Sequence, residues 1–284
     1  MTDFQRVHAA AITPRSPQGD LNIGAMFDLV DYLCSSHVPG IVLFDGVGEY
    51  PAYTAEERSR IAYLAVKRSR APVLVGVGSP ALDVSVSLAR EARDAGVAGV
   101  VVPPPLFFNG DSADLMEFYR QFASQTGTCI PAVVTSFPDA SMLIEEGLFA
   151  GVLDCTGEFQ SASVPPARVL AGRDESLTRA LAAGSGAISP AACALPELVT
   201  ALSRAIAAGD HAQVERLDHA LCEFLQWSER FPQPVAVKVA AAVRGVKTGP
   251  LLAPLAPHKQ TLLERFRDWF KEWLPAMKAI ATHG

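Results

Sequence analysis

The chain has 284 residues, of which 49% are hydrophobic and 19% charged, with a formal net charge of −6. This length is ample for a buried core, and the lack of any lysine- or arginine-rich block disfavours nucleic acid or an anionic membrane as a partner. The apolar runs are strand-sized, well short of the roughly 20 residues that span a bilayer. With no signal-peptide pattern and five widely spaced cysteines that form no CxxC pair, we expect a cytoplasmic protein with reduced thiols.

Short apolar runs recur at a steady interval along most of the chain. Each is nearly continuous, without polar alternation, as is typical of strands buried on both faces of a parallel sheet. The eight runs span residues 7–13, 40–44, 72–77, 97–102, 130–134, 150–154, 167–171 and 185–189. Amphipathic stretches between them predict helices, with a capping box at Thr54 and Glu57 and a C-terminal cap at Gly96. Eight strands, each followed by a helix, indicate an α/β protein of the TIM (β/α)₈ barrel type rather than an open doubly wound sheet.

The pattern becomes purely helical after residue 208. Three amphipathic stretches cover residues 210–230, 233–246 and 258–280. The last carries Leu263, Phe266, Phe270 and Trp273 at spacings of three and four, which predicts a packing face. We therefore expect a barrel over residues 1–208 and a C-terminal extension of three helices, packed on the barrel, over residues 209–284.

The functional site of a TIM barrel lies at the carboxyl ends of its strands, so the residues just past each run are the informative ones. The second run leads into Asp45–Glu49, and the fifth ends at Thr135–Pro138. The sixth leads into Asp154–Gly157, the seventh into Gly172–Asp174, and the eighth contains Ile188.

Several segments stand together in the order and spacing of a known family. They read FDGVGEYPAYTAEE, PVLVGVG, VVPPPLFF, GVLDCTGEF, AGRDESL, GSGAIS, FPQPVAVK and GPLLAPLAP. From about residue 7 to 259 the chain thus resembles the dihydrodipicolinate synthase / N-acetylneuraminate lyase family. The resemblance implies a class I aldolase-type lyase in which a lysine forms a Schiff base with pyruvate or a related 2-oxo acid. It also implies a homo-oligomer, commonly a tetramer built as a dimer of dimers. We expect no cofactor.

The residues that serve this chemistry in the family are replaced. By the resemblance, the Schiff-base lysine falls at Leu153, the proton-handling tyrosine at Thr135, and the substrate-binding arginine of synthase members at Ala140. The stretch Asp45–Glu49 lacks both threonines that hold the carboxylate of the 2-oxo acid, and Asp45 would repel that carboxylate. No imine can form on a leucine, because the mechanism needs an amine, and Lys238 lies in the predicted tail, where it cannot replace that amine. We predict the family fold without its Schiff-base mechanism.

The catalytic candidates are Asp45, Glu49, Asp154 and Cys155. The carboxylates would act as acid and base or hold a cation, or they would instead bind loop backbone and cap the following helices. Cys155 would be a nucleophile or a small buried thiol, and no histidine stands at a strand end to activate it. Since all six histidines fall outside the strand ends, we expect no metal site.

The predicted substrate-binding residues gather at the same strand ends. They are Asp45, Gly46, Val47, Thr135, Leu153, Cys155, Arg173 and Ile188. Leu153 would pack the barrel interior or line an apolar ligand cavity, and it should share its inward face with Cys155. Arg173 would bind an anionic ligand, or pair with Asp174 or Asp45.

Two functional hypotheses remain open. In the first, the protein binds a small polar metabolite and runs a lyase or hydro-lyase reaction, with Asp45, Glu49 and Asp154 as acid/base groups and Arg173 as their electrostatic partner. In the second, it is a non-catalytic pseudoenzyme or partner subunit that uses the barrel as a scaffold. A small-molecule pocket is favoured by aromatic residues expected to be buried near a polar rim. These are Phe107, Phe137 and Phe159.

Overall fold

A closed barrel of eight parallel strands forms the centre of the molecule. The computed structural model describes residues 4–107, 110–127, 130–156 and 164–282. Each strand pairs in parallel with the next, and β8 closes the barrel against β1. The strands are β1 Val7–Ala10, β2 Gly40–Leu43, β3 Val73–Gly76, β4 Gly99–Val102, β5 Ala132–Thr135, β6 Gly151–Asp154, β7 Val169–Ala171 and β8 Gly186–Ser189. Every strand overlaps a predicted apolar run, so the predicted TIM barrel is confirmed.

Helices cover the outside of the barrel. They are α1 Ile23–Ser35, α2 Ala55–Arg68, α3 Leu82–Ala95, α4 Ser112–Thr126, α5 Ala140–Glu145, α6 Leu177–Ala182, α7 Ala191–Ala194 and α8 Pro196–Ala208. Between β6 and β7 the described residues hold a single 3₁₀ turn, Pro166–Arg168, instead of an α-helix. The expectation of a helix after every strand therefore fails for the described part of this connection.

Two helix-end predictions are confirmed in atomic detail. Glu57 N donates to Thr54 Oγ1 at 3.2 Å, and Thr54 N donates to Glu57 Oε2 at 2.9 Å, which completes the capping box of α2. Gly96 ends α3 with a φ of 84°, in the left-handed region where a side chain would be strained. These local signals fix where the helices begin and end on the barrel surface.

Three further helices follow the barrel in sequence, as predicted: α9 His211–Ser228, α10 Val235–Val243 and α11 Pro257–Thr282. Phe266 and Phe270 of α11 are fully buried, and their rings lie about 6 Å from Phe224 of α9. Leu263 and Trp273 pack partly buried against the same core. This aromatic packing fixes α9 so that its C-terminal end reaches the mouth of the barrel. Among the described residues, no helix is both long enough and apolar enough to cross a membrane.

Candidate active site

A cavity of about 590 Å³ opens at the carboxyl ends of the strands. Its wall combines strand ends and loops with the end of α9 and the segment up to α10. The polar and charged groups of this wall are Asp45, Tyr50, Thr135, Cys155, Arg173, Asp174, Glu175, Ser228, Glu229 and Gln233. Its apolar part includes Val47, Val101, Leu153, Ile188, Phe224, Leu225, Phe231 and Val237. All eight predicted substrate-binding residues line this one cavity.

Leu153 places hydrocarbon where the family resemblance puts a lysine. It lies on β6 beside Thr135 of β5 and Leu170 of β7, and only 6% of its surface is exposed. The six lysines of the chain all belong to the described residues, and none of them lines the cavity. They are Lys67, Lys238, Lys247, Lys259, Lys271 and Lys278. The described cavity wall therefore offers no amine for an imine.

Lys238 is the one buried lysine among the described residues, and its partner is Glu49. Its Nζ donates a hydrogen bond to Glu49 Oε2, and the two side chains are 1% and 9% exposed. Glu49 has a φ of 53°, in the left-handed region, and its hydrogen bond from Lys238 joins the β2 loop to α10. Neither residue contributes to the cavity wall. The geometry gives Glu49 a structural partner and does not bring it to the other acid/base candidates.

Asp45 is the catalytic candidate that combines a carboxylate with access to the cavity. Its Oδ1 accepts hydrogen bonds from Val47 N at 3.0 Å and Gly48 N at 3.2 Å, which shape the loop after β2. Both bonds reach Oδ1, and no other described residue is seen to donate a side-chain or loop hydrogen bond to Oδ2. Burial raises the pKa of the Asp45 carboxyl to about 6, and backbone hydrogen bonds, with those of Gly48 and Val47 first, offset part of this rise. The group can therefore exchange a proton close to neutral pH.

Asp154 instead stabilises its own loop. Its Oδ1 accepts from Thr156 N at 2.8 Å and from Thr156 Oγ1 at 2.7 Å, and the residue is 5% exposed. It does not line the cavity. Across residues 4–107, 110–127, 130–156 and 164–282, no three His, Cys, Asp or Glu side chains converge as a metal site requires.

Cys155 faces the cavity together with Leu153, as the strand alternation predicts. The surrounding protein and the nearby charges of Asp45 and Asp154 raise the pKa of its thiol to about 11, with burial as the larger cause. The thiol is therefore protonated at neutral pH, which disfavours a nucleophilic role. Gly172 makes room for it, since a Cβ at residue 172 would lie 2.9 Å from Cys155 Sγ.

Arg173 pairs with Glu175, so the predicted pairing with Asp174 or Asp45 is wrong. Its Nε donates to Glu175 Oε2 and its Nη2 to Glu175 Oε1, both at 3.2 Å. Asp174 points inward instead, where Ala191 N donates to its Oδ2 at 2.7 Å and the Ser189 hydroxyl donates to Oδ1. Burial raises the pKa of Asp174 to about 6. The loop after β7 thus turns two adjacent charged residues in different directions.

Tyr50 is a cavity residue that sequence reasoning missed. It is 7% exposed and lines the cavity, and the Arg58 guanidinium lies 5.1 Å from its ring centroid. Arg58 donates to Gly78 O at 2.8 Å and Gly76 O at 2.7 Å. A Cβ at Gly78 would lie 2.8 Å from the Tyr50 ring, so glycine is needed there for the tyrosine to fit. The available signal was an aromatic residue directly after the Asp45–Glu49 loop.

The predicted aromatic rim differs from the observed one. Phe107 is 90% exposed, so its predicted burial is wrong. Phe137 is partly buried and stacks on Tyr119 at 5.4 Å, outside the cavity wall, whereas Phe159 lies outside the described residues. The aromatic residues of the wall are Tyr50, Phe224 and Phe231.

The fold defines a TIM-barrel protein with a cavity at the carboxyl ends of its strands. The chain belongs to the Dihydrodipicolinate synthetase family, whose profile matches residues 3–272. It is 31% identical over 237 residues to an uncharacterized DapA-like lyase of Halobacterium salinarum, with 77% of each chain covered. It is 27% identical over 303 residues to the 4-hydroxy-tetrahydrodipicolinate synthase of Methanoculleus marisnigri, with 99% of this chain and 100% of the relative covered.

Solved structures share the fold over almost the whole chain. The 4-hydroxy-tetrahydrodipicolinate synthase of Methylacidiphilum fumariolicum superposes with a TM-score of 0.86 at 24% identity, covering 97% of this chain and 99% of the other. The sialic acid aldolase of Ruminococcus gnavus superposes with a TM-score of 0.83 at 17% identity, covering 97% and 100%. Both structural similarities concern the fold alone. The family resemblance predicted from the sequence is confirmed by the family profile.

Proposed function

We propose that this chain is a divergent family member that binds a small polar metabolite non-covalently at the carboxyl end of its barrel. The observation that carries the proposal is Leu153, a hydrocarbon side chain in a described cavity wall without lysine. A Schiff base needs a desolvated amine with a lowered pKa next to the bound carbonyl. The size and mixed polarity of the cavity suit a metabolite.

Asp45 is the proposed acid/base group if the bound metabolite is turned over. Lyase and hydro-lyase reactions without an imine need a group that removes or returns a proton at the substrate. Asp45 lines the cavity, and burial brings the pKa of its carboxyl to about 6, close to the range that general acid/base catalysis favours. Glu49 and Asp154 have no part in this proposal, because both are engaged outside the cavity wall.

A thermal-shift screen with a metabolite panel tests binding at this site. A ligand that binds the folded state raises the melting temperature by mass action. We expect a saturable shift that Cys155→Trp abolishes, because this exposed residue lines the cavity and the indole fills it. Cys222→Trp is the matched control, since Cys222 is also exposed but lies on α9 outside the cavity wall. An unchanged shift in the Cys155 variant would place the ligand elsewhere and contradict the proposal.

Turnover of the ligand found in this screen separates the two functional hypotheses. Conversion that Asp45→Asn abolishes supports the lyase, because the asparagine amide keeps an acceptor oxygen for Val47 N and Gly48 N but cannot carry the proton. Binding without conversion supports the non-catalytic subunit. A homo-oligomer, dimer or tetramer, and a cytoplasmic location remain predictions from the family resemblance and the composition.

A further inference from the structure

The charged groups of the cavity wall are predominantly acidic. Asp45, Asp174, Glu175 and Glu229 line the cavity, and Arg173 is the one cation among the described lining residues. The Asp174 carboxylate is used internally by Ser189 and Ala191. The groups that a ligand meets are therefore Asp45, the Arg173–Glu175 pair and Glu229 at the end of α9.

Both nearby guanidinium groups already have partners within the protein. Arg173 donates two hydrogen bonds to the Glu175 carboxylate, which balances its charge, while about half of its side chain stays exposed. Arg58 lies behind the Tyr50 ring, is 4% exposed, and donates to the backbone carbonyls of Gly76 and Gly78. A carboxylate entering the cavity would lose part of its hydration, face Asp45, and meet only a guanidinium whose charge Glu175 already balances.

Tyr50 contributes a second acceptor to the cavity that Asp45 lines. The side chain is more than nine-tenths buried and lines the cavity, and its hydroxyl has no hydrogen-bond partner within the described parts of the chain. A hydroxyl without a protein partner can form a hydrogen bond with a ligand that enters the cavity. Its oxygen and Asp45 Oδ2 are both acceptors for N–H groups of a bound molecule.

We propose that the cavity selects a small molecule carrying a protonated amine on an apolar body, with the Asp45 carboxylate as its counterion and the Tyr50 hydroxyl as a second acceptor. The apolar body contacts the hydrocarbon part of the wall, where Leu153, Ile188 and Val101 lie. A charge-assisted N–H···O⁻ bond is stronger than its neutral counterpart, and more so in a cavity that excludes water. This inference rests on the proposed non-covalent binding site and names the charge of its ligand.

Isobutylammonium and isobutyrate test the inference directly, because they share a carbon skeleton and differ in the sign of their charge. Titration calorimetry with both, and with pyruvate, is expected to detect saturable binding of the ammonium alone. Asp45→Asn should weaken that binding at least tenfold, and Tyr50→Phe should weaken it severalfold. Asp20→Asn, at an exposed acid outside the cavity wall, should leave it unchanged. The melting temperature of each variant shows whether it is folded.

A further variant tests whether the pairing with Glu175 prevents Arg173 from binding an anionic ligand. Glu175→Gln removes its carboxylate partner, so isobutyrate should begin to bind this variant. Equal or tighter binding of isobutyrate or pyruvate to the natural protein would overturn the inference, as would undetectable ammonium binding or ammonium binding unaffected by Asp45→Asn. If pyruvate binds reversibly, only the inferred ligand charge fails. If pyruvate becomes covalently attached on reduction, the proposed function itself fails.

Discussion

Lys238 of α10 and Glu49 of the β2 loop form an ion pair that is almost completely removed from solvent. The two residues are 189 positions apart in the sequence, so the pair ties the C-terminal helices to the barrel mouth. The same contact directs the one buried lysine of the described residues away from the cavity. The same ion pair therefore stabilises the fold and keeps this lysine out of the cavity.

Removing one partner of this pair should destabilise the protein strongly. Lys238→Met leaves Glu49 buried without its cation, which costs on the order of 3–5 kcal/mol. The double variant Lys238→Met/Glu49→Leu should recover part of that loss, because neither charge is then left uncompensated. Lys247→Met is the matched control, since its pair with Asp28 is exposed and should contribute less than about 1 kcal/mol. Urea unfolding measures all three, and equal losses at Lys238 and Lys247 would refute the structural role.

Two glycines of the cavity wall should differ sharply in their tolerance of alanine. A Cβ at Gly76 would lie 2.0 Å from the Phe44 carbonyl oxygen, so β2 and β3 would have to separate. We expect Gly76→Ala to cost on the order of 1–3 kcal/mol, the usual range for overpacking. A Cβ at Gly46 meets nothing within 4 Å, so Gly46→Ala should be nearly neutral. Thermal unfolding measures the stability of both variants. A Gly76→Ala variant as stable as the natural protein would contradict the packing described at the β2–β3 junction.

The Asp45 carboxyl should make stability fall as the pH rises from about 4 to 7. Its folded-state pKa of about 6 exceeds the unfolded value, so the native state holds this proton more tightly. The stabilisation is complete below the unfolded pKa and is lost as the pH passes the folded pKa. Relative to Asp45→Asn, the natural protein should lose on the order of 2 kcal/mol across this window. Urea unfolding at several pH values measures the difference in unfolding free energy between the two proteins. If that difference stays constant between pH 5 and 7, the pKa of Asp45 is not raised.

Cys155 should react slowly with alkylating reagents although it faces the cavity. Desolvation by the surrounding protein raises the pKa of its thiol to about 11, which leaves little thiolate at pH 8. Cys155 and Cys222 are both exposed, yet iodoacetamide labelling followed by peptide mass spectrometry should modify Cys222 first, and the rate at Cys155 should rise steeply toward pH 11. Fast labelling of Cys155 at pH 7 would restore the hypothesis of a cysteine nucleophile.

The barrel and its helix ends could be predicted because their signals are local. Continuous apolar runs identify buried strands, and the pairing of Thr54 with Glu57 identifies the start of α2. The loop chemistry was less accessible, since Arg173 stands beside Asp174 in the sequence yet turns toward Glu175. Which of the two neighbouring carboxylates pairs with Arg173 depends on the direction of the backbone after β7, and the whole barrel sets that direction.

The part of the cavity wall that α9 contributes could not be predicted from local sequence patterns either. Phe224 and Glu229 reach it only because α9 packs on the barrel mouth, a contact between distant parts of the chain. The partnership of Lys238 with Glu49 likewise joins residues that are 189 positions apart in the sequence. By contrast, the inward direction of Leu153 could be predicted, because strand alternation and the family pattern both fix it, although its place in the cavity wall was one of two alternatives.

Reduction with sodium borohydride in the presence of pyruvate tests the central claim most directly. An imine would be converted to a stable secondary amine, and intact-mass spectrometry would detect the added mass. We expect the mass of the protein to remain unchanged, because the described cavity wall carries leucine at residue 153 and no lysine. A pyruvate-dependent mass increase that peptide mapping places on a lysine would contradict the account.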